Sequence, residues 1–283
     1  CCAMNKKATS FLEFWKLVRE LKPASDEAIL FRGHPDEKWF LEPGVFRTKE
    51  KDQEVREYHN ILVEYPEEFQ KRSHLSNLVK MQHYGVSTRL LDFTTNPLVA
   101  LFFASEIYEQ KTNGQVICIK VKKSDILHHN SDRILMLSCL PCFHDDEREE
   151  MRKFCENHRG RITEQYVRSY GAMHKLLHEI RGEYPGFECE MIGEDLLKGY
   201  FVAPFKDNER MKLQNGLFYL FGLDETRLDD KMEVHRITIE KNSKDEILDD
   251  LEMMNISSAH LYSGLERAAM KYKRRRSLWV NDR

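Results

Sequence analysis

The tightest constraint on the fold is a junction. A stretch dense in hydrogen-bonding side chains, Met81 to Thr95, runs into Asn96-Pro97 and then into Leu98 to Ala104, one of the longest apolar runs in the chain. Asparagine is a good N-cap and proline suits a first helical turn, so a helix is expected through Leu98, Leu101, Phe102 and Ile107. Leu98 to Ala104 is far too short to span a bilayer, and no membrane partner is expected. The helix instead belongs in a core. Apolar residues make up 41% of the chain and aromatics 11%, enough to build one. The net charge of −3 argues against a surface that binds nucleic acid everywhere but leaves a local basic groove open.

Around this junction the periodicity mixes helices and strands. Ser10 to Leu21 places Phe11, Phe14, Trp15 and Val18 on one helical face, with Ser10 and Glu13 as a capping box. Ala28 to Phe31 reads as a strand that stops at a turn at Arg32-Gly33. Lys51 to Tyr65 reads as a helix, Gln115 to Val121 and Arg133 to Ser138 as strands, and Arg161 to Glu183 as one long helical stretch. Tyr200 to Val202, Leu217 to Phe221 and Val234 to Ile239 are further strands, and Ser243/Glu246 and Ser263/Glu266 are capping boxes for two closing helices. Without strict βα alternation this predicts an α+β fold: a mixed or antiparallel sheet flanked by helices, with Ala28–Phe31 and Leu217–Phe221 in one sheet. Residues 10–276 are expected to form one domain. Residues 1–9 are expected to be a flexible leader or cloning remnant, and 277–283 a tail. No secretory leader is expected, and the irregular cysteines suit the cytoplasm.

Three stretches place polar residues where core is expected. In Phe31-Arg32-Gly33-His34 the arginine offers a planar fork for phosphate or carboxylate, or else a structural salt bridge beside a turn glycine. Met81 to Pro97 reads either as a phosphate cradle at a helix start or as a buried polar network, with Arg89 and Asp92 close enough to pair. Asn208 to Phe218 contains Gln214, suited to a ligand amide, although Asn215-Gly216 is also a plain hairpin turn.

Cys139, Cys142, Cys155 and His158 have spacing that a zinc ribbon uses, with His144 nearby. Asp145 to Asn157 reads as an acidic surface helix with Cys155 on its inner face, so no metal is expected there. Lys271 to Arg276 is basic; it either attracts nucleic-acid phosphates or offsets a helix C-terminal dipole, the latter being the default.

Phe31-Arg32-Gly33, Leu41-Glu42-Pro43, Phe46-Arg47, Gln82-His83-Tyr84-Gly85, Thr88-Arg89-Leu90-Leu91-Asp92, Asn96-Pro97, and Gln214 with Gly216 and Phe218 follow one another in the order of the FRG domain family of bacteria and phages. The chain resembles that family over about residues 10 to 275; Met211 and Asn215 depart from its usual isoleucine and second glutamine. Members look like components of bacterial defence and toxin loci. The motif order is also similar to the layout of ADP-ribosyltransferases, though no late Glu-x-Glu or Gln-x-Glu stands near Gln214. The resemblance implies NAD as substrate, with Arg32, Arg89 and Gln214 as catalytic residues and Arg32, Gly33, His83, Tyr84, Thr88 and Asp92 holding the nucleotide. It further implies a protein or nucleic-acid acceptor and an antitoxin or phage trigger protein as partner. The second reading is a non-catalytic module that senses a nucleotide or phage component. A nuclease using His83 and Asp92 ranks last, because no carboxylate cluster stands ready for a metal.

Overall fold

The computed structural model describes residues 5–47, 50–69, 73–106, 112–203, 216–228 and 232–262. In chain order these form β1 (Asn5–Ala8), α1 (Phe11–Glu20), β2 (Glu27–His34), α2 (Gln53–Glu64), α3 (Pro66–Phe69), α4 (His74–His83), β3 (Leu90–Thr94), α5 (Pro97–Ser105), β4 (Gly114–Lys122) and β5 (Ile126–His128). There follow α6 (Asp132–Ser138), α7 (Asp145–Asn157), β6 (Arg161–Ile162), α8 (Glu164–Arg168), α9 (Gly171–Glu183), β7 (Met191–Ile192), α10 (Gly193–Leu197), β8 (Tyr200–Ala203), β9 (Gly216–Leu220), β10 (Val234–Ile239), α11 (Lys244–Met253) and α12 (Ser258–Leu261).

Eight strands form one mixed sheet in the order β1-β10-β4-β2-β3-β9-β8-β5, and β6 and β7 make a separate ribbon. The fold is α+β, and β2 and β9 share its main sheet as expected. Side chains alternate across a strand, so each strand feeds two cores. Phe31, Val116, Cys118 and Ile237 pack with Phe14, Leu101, Ile247 and Leu251 from α1, α5 and α11. Leu30, Ile117, Phe93 and Tyr219 turn to the other side, under Leu41, Phe221 and Leu228. Leu90, Phe218, Leu220 and Val202 anchor a helical lobe built from α2, α4, α6, α7, α9 and α10. Among the described residues no helix is long and apolar enough to cross a membrane.

Several expectations change. Asn5–Ala8, placed in a flexible leader by sequence, pairs in parallel with Arg236–Ile239 at the sheet edge. Ser10 caps α1 as expected, but the Glu13 carboxylate accepts from Thr9, not from Ser10. Arg133–Ser138 lies in a helix, not a strand: Ile134 to Leu137 are all buried, and a short run buried all round has no distinguishing period. The Arg161–Glu183 stretch breaks into β6, α8 and α9, with Tyr170 extended before Gly171. Ser243 does precede α11, but after a 3-10 turn and with no side-chain cap. Ile107, Ser263 and the basic tail lie outside the described residues.

β2 does not stop at Phe31; it continues to His34, paired with β4 throughout. Gly33 therefore terminates nothing. A Cβ there would overlap the Ala100 carbonyl oxygen and lie 2.7 Å from Ala104 N and 2.8 Å from Phe103 Cβ. Its bare backbone is what lets α5 lie directly on the sheet. Gly33→Ala is expected to destabilise the protein by about 1–3 kcal/mol, read as a lower urea midpoint with an unchanged slope.

Candidate functional site

β2 and β3 are neighbours in the middle of the sheet, yet a single bridge joins them, Phe31 to Thr94. Beside this weak seam a cleft of about 280 Å³ opens, its polar wall carried by Arg32, His34 and Asp92 and its apolar wall by Trp39, Phe93 and Phe103. Thr94, Glu106 and Tyr262 also reach it. That volume sits at the lower end of small-ligand sites.

Arg32 is the centre of the cleft, with its side chain 16% exposed. Its Nε donates to His34 Nε2 at 2.9 Å, and its Nη1 donates to the Asp92 carbonyl at 2.7 Å and reaches Asp92 Oδ2 at 3.4 Å. Among the described residues Nη2 has no acceptor, so one edge of the fork remains for a ligand. Burial pulls the Arg32 pKa down, and the Asp92 carboxylate opposes that pull.

Asp92 is itself fixed from behind. Gln82 Nε2 donates to Asp92 Oδ2 at 3.0 Å, and Thr88 Oγ1 donates to Gln82 Oε1 at 2.6 Å. Thr88, Gln82, Asp92, Arg32 and His34 thus form one continuous polar chain. Thr88 is buried at its far end and connects to the cleft through Gln82.

His34 is buried, and it accepts from Arg32 at Nε2, so its proton sits on Nδ1. Burial first, and then the charges of Arg32, Arg236 and Arg47, hold its pKa well below the ordinary value of 6.5. The unfolded chain takes up this proton as pH falls through 6.5 while the folded chain does not, so acidification costs native stability. Between about pH 7.5 and about pH 5.5, unfolding free energy is expected to fall more steeply in the wild type than in His34→Gln. Chemical denaturation at the two pH values checks it.

Three guanidinium groups, Arg32, Arg47 and Arg236, act on this one buried imidazole in a protein of net charge −3. Arg47 lies over the Trp39 ring at 5.8 Å, and Trp39 is 42% exposed. Local positive charge beside an exposed indole suits an anion that carries a flat ring.

The structure separates residues that the sequence grouped. Arg89 does not pair with Asp92 and does not line the cleft. It is buried and grips Glu54 through two bonds, Nε to Oε1 at 2.7 Å and Nη2 to Oε2 at 2.6 Å, while Nη1 donates to the Phe221 carbonyl at 3.2 Å. Arg148 adds a second cation at 3.0 Å from the same carboxylate. Arg89 is a strut between β3, α2 and α7, on the grounds of these contacts. His83 and Tyr84 end α4 and are not among the residues that line the cleft, and Tyr84 is exposed. The loop into Pro97 bonds to itself: Asn96 Oδ1 accepts from Leu98 N–H and Thr94 Oγ1 from Asn96 N–H, which favours the polar-network reading over a phosphate cradle. Gln214 lies outside the described residues; Gly216 pairs with Thr94 at the cleft.

Sequence reasoning passed over Gln82, Trp39 and Glu54. Gln82 stands inside the quoted polar motif. Glu54 stands on the inward face of α2 beside Val55 and Tyr58, and an acid on an apolar helical stripe signals a buried partner.

The four ribbon-spaced residues do not gather. Cys155 is buried on the inner face of α7, and burial pushes its thiol up to about 12. His158 has Nδ1 at 2.8 Å from the Phe154 carbonyl and Nε2 at 2.8 Å from Tyr166 Oη. Cys142 lies instead with His74 and Glu179.

No curated protein and no solved structure matches the chain. The model of the FRG domain matches residues 27–113, a narrower span than the sequence resemblance suggested. That span holds β2, β3 and α5, and with them Arg32, Asp92 and the seam where the cleft opens. Residues 27–113, under a third of the chain, are similar to the FRG domain.

Proposed function

We propose that the chain uses NAD in the Arg32 cleft as an ADP-ribosyltransferase-like effector of a bacterial defence or toxin system. The observation that carries this reading is the half-used guanidinium: Arg32 is immobilised by His34 and Asp92, yet its Nη2 edge has no acceptor among the described residues. A fork held in this way fits a phosphate or a ribose hydroxyl without reorganising. Trp39, Phe93 and Phe103 supply apolar walls for a flat ring. Asp92, with its side chain 51% exposed, offers a carboxylate edge to the cationic sugar that forms as nicotinamide leaves. The acceptor, protein or nucleic acid, would approach from the open side, and an antitoxin or phage trigger protein would control access.

The second reading, a module that senses a nucleotide or phage component without turning it over, is favoured by the engagement of both cleft carboxylates. Asp92 is tied to Arg32 and Gln82, and Glu106 to Tyr262. Incubating purified protein with NAD and measuring free nicotinamide separates the two. Release that Asp92→Asn lowers at least tenfold supports the transferase; saturable NAD binding with no release supports the sensor.

A further inference from the structure

A second cluster of chemically capable side chains lies in the helical lobe, outside the Arg32 cleft. His74 opens α4, Cys142 closes the 3-10 turn Leu140–Cys142 before α7, and Glu179 faces them from α9. These three elements are far apart in sequence, yet one ligand atom from each residue lies within 4.8 Å of the others. We propose that His74, Cys142 and Glu179 hold a zinc ion whose fourth position opens into the neighbouring cavity.

The distances fit the metal. Cys142 Sγ lies 3.5 Å from His74 Nδ1. Zinc bonds of about 2.3 Å to sulfur and about 2.0 Å to nitrogen, at a tetrahedral angle, separate the two ligands by about 3.5 Å. A thiolate, an imidazole and a carboxylate together suit a borderline metal such as zinc better than calcium or magnesium, which take oxygen ligands. A carboxylate also stands near the ring nitrogen opposite Nδ1: the His74 backbone N–H donates to Glu183 Oε2 at 2.8 Å, and Nε2 lies 4.0 Å from the same oxygen.

Tyr58 Oη stands 2.7 Å from His74 Nδ1 and must release it when metal enters. The cavity beside the cluster is about 420 Å³ and is lined by His144, Glu147, His174, Lys175 and His178. It is roomy enough for a metal-bound water and for a small molecule to reach it. This zinc set shares only Cys142 with the ribbon-spaced residues, and it does not depend on what the Arg32 cleft binds.

The test is metal analysis of protein purified without chelator, together with titration of chelator-stripped protein with zinc chloride. About one zinc per chain is expected. Binding should weaken at least tenfold in His74→Ala, Cys142→Ser and Glu179→Gln, and remain unchanged in Cys155→Ser and His158→Ala. Cobalt(II) should give a thiolate charge-transfer band that Cys142→Ser abolishes. Should Cys142→Ser fail to fold, Glu179→Gln decides the matter, because Glu179 is only half-buried and its neutral isostere keeps its shape. Absence of stoichiometric zinc in both preparations would overturn the proposal. So would undiminished affinity in Glu179→Gln, or loss of zinc in Cys155→Ser and His158→Ala instead.

Discussion

Arg89→Ala is expected to cost about 3–5 kcal/mol of folding stability, a large share of the roughly 5–15 kcal/mol that holds a domain of this kind together. Arg89 and Glu54 are both buried, and their two short bonds are their compensation for leaving water. Removing the cation strands a carboxylate in the core. Arg148, 3.0 Å from Glu54, keeps part of the compensation, which places the loss toward the lower end of the range. Replacing both partners with apolar residues, Arg89→Met with Glu54→Leu, should recover much of the loss, because no charge is then left buried. The pair also makes a pH prediction. Burial raises the Glu54 pKa, but the charges and hydrogen bonds of Arg89 and Arg148 outweigh it, and the net shift is downward from 4.5. Stability from this carboxylate is therefore complete above pH 4.5 and is lost as pH falls through the lower folded value. Urea denaturation of the single and double variants tests the pair. A native midpoint in Arg89→Ala, combined with lost NAD turnover, would return Arg89 to the functional residues.

The contrast between Arg89 and Arg32 shows how much of the site was legible beforehand. That polar motifs surround Arg32 and Asp92 could be read directly, because polar residues bordering an apolar strand and helix need partners. Which arginine met which acid could not. Arg89 and Asp92 stand three apart, a spacing that brings side chains together on a helix. Here Asp92 lies in β3 and Arg89 directly precedes it, and in an extended chain odd spacing sends the two to opposite faces. Asp92 turned to Arg32, and Arg89 found Glu54, 35 residues away on another element. Gly33 was read as a turn residue because only the packed fold reveals α5 lying across it. The helix at Ile134–Leu137 was read as a strand because a run buried on all sides has no amphipathic period. Elements with one wet face, such as α1, α2 and α7, were placed within a few residues.

Arg32→Lys is expected to leave the fold nearly intact and to lose function. Its partner Asp92 is half exposed, and a lysine can still reach one acceptor, so the stability change should be about 1 kcal/mol or less. Lysine keeps the charge but has no planar fork, and it cannot bind His34, Asp92 and a ligand oxygen together. A lost charge-assisted bond of about 1.5–3 kcal/mol corresponds to roughly 10- to 150-fold weaker NAD binding. Thermal midpoint and NAD titration on the same preparation separate the two effects. A large drop in midpoint with affinity retained per folded molecule would make Arg32 a structural residue.

A crystal structure of the protein soaked with NAD tests the nucleotide reading of the cleft most directly. The predicted result is a pyrophosphate or ribose oxygen within hydrogen-bond distance of Arg32 Nη2, with a ring against Trp39, Phe93 or Phe103. A nucleotide bound elsewhere, with Arg32 Nη2 satisfied by the protein itself, would contradict it.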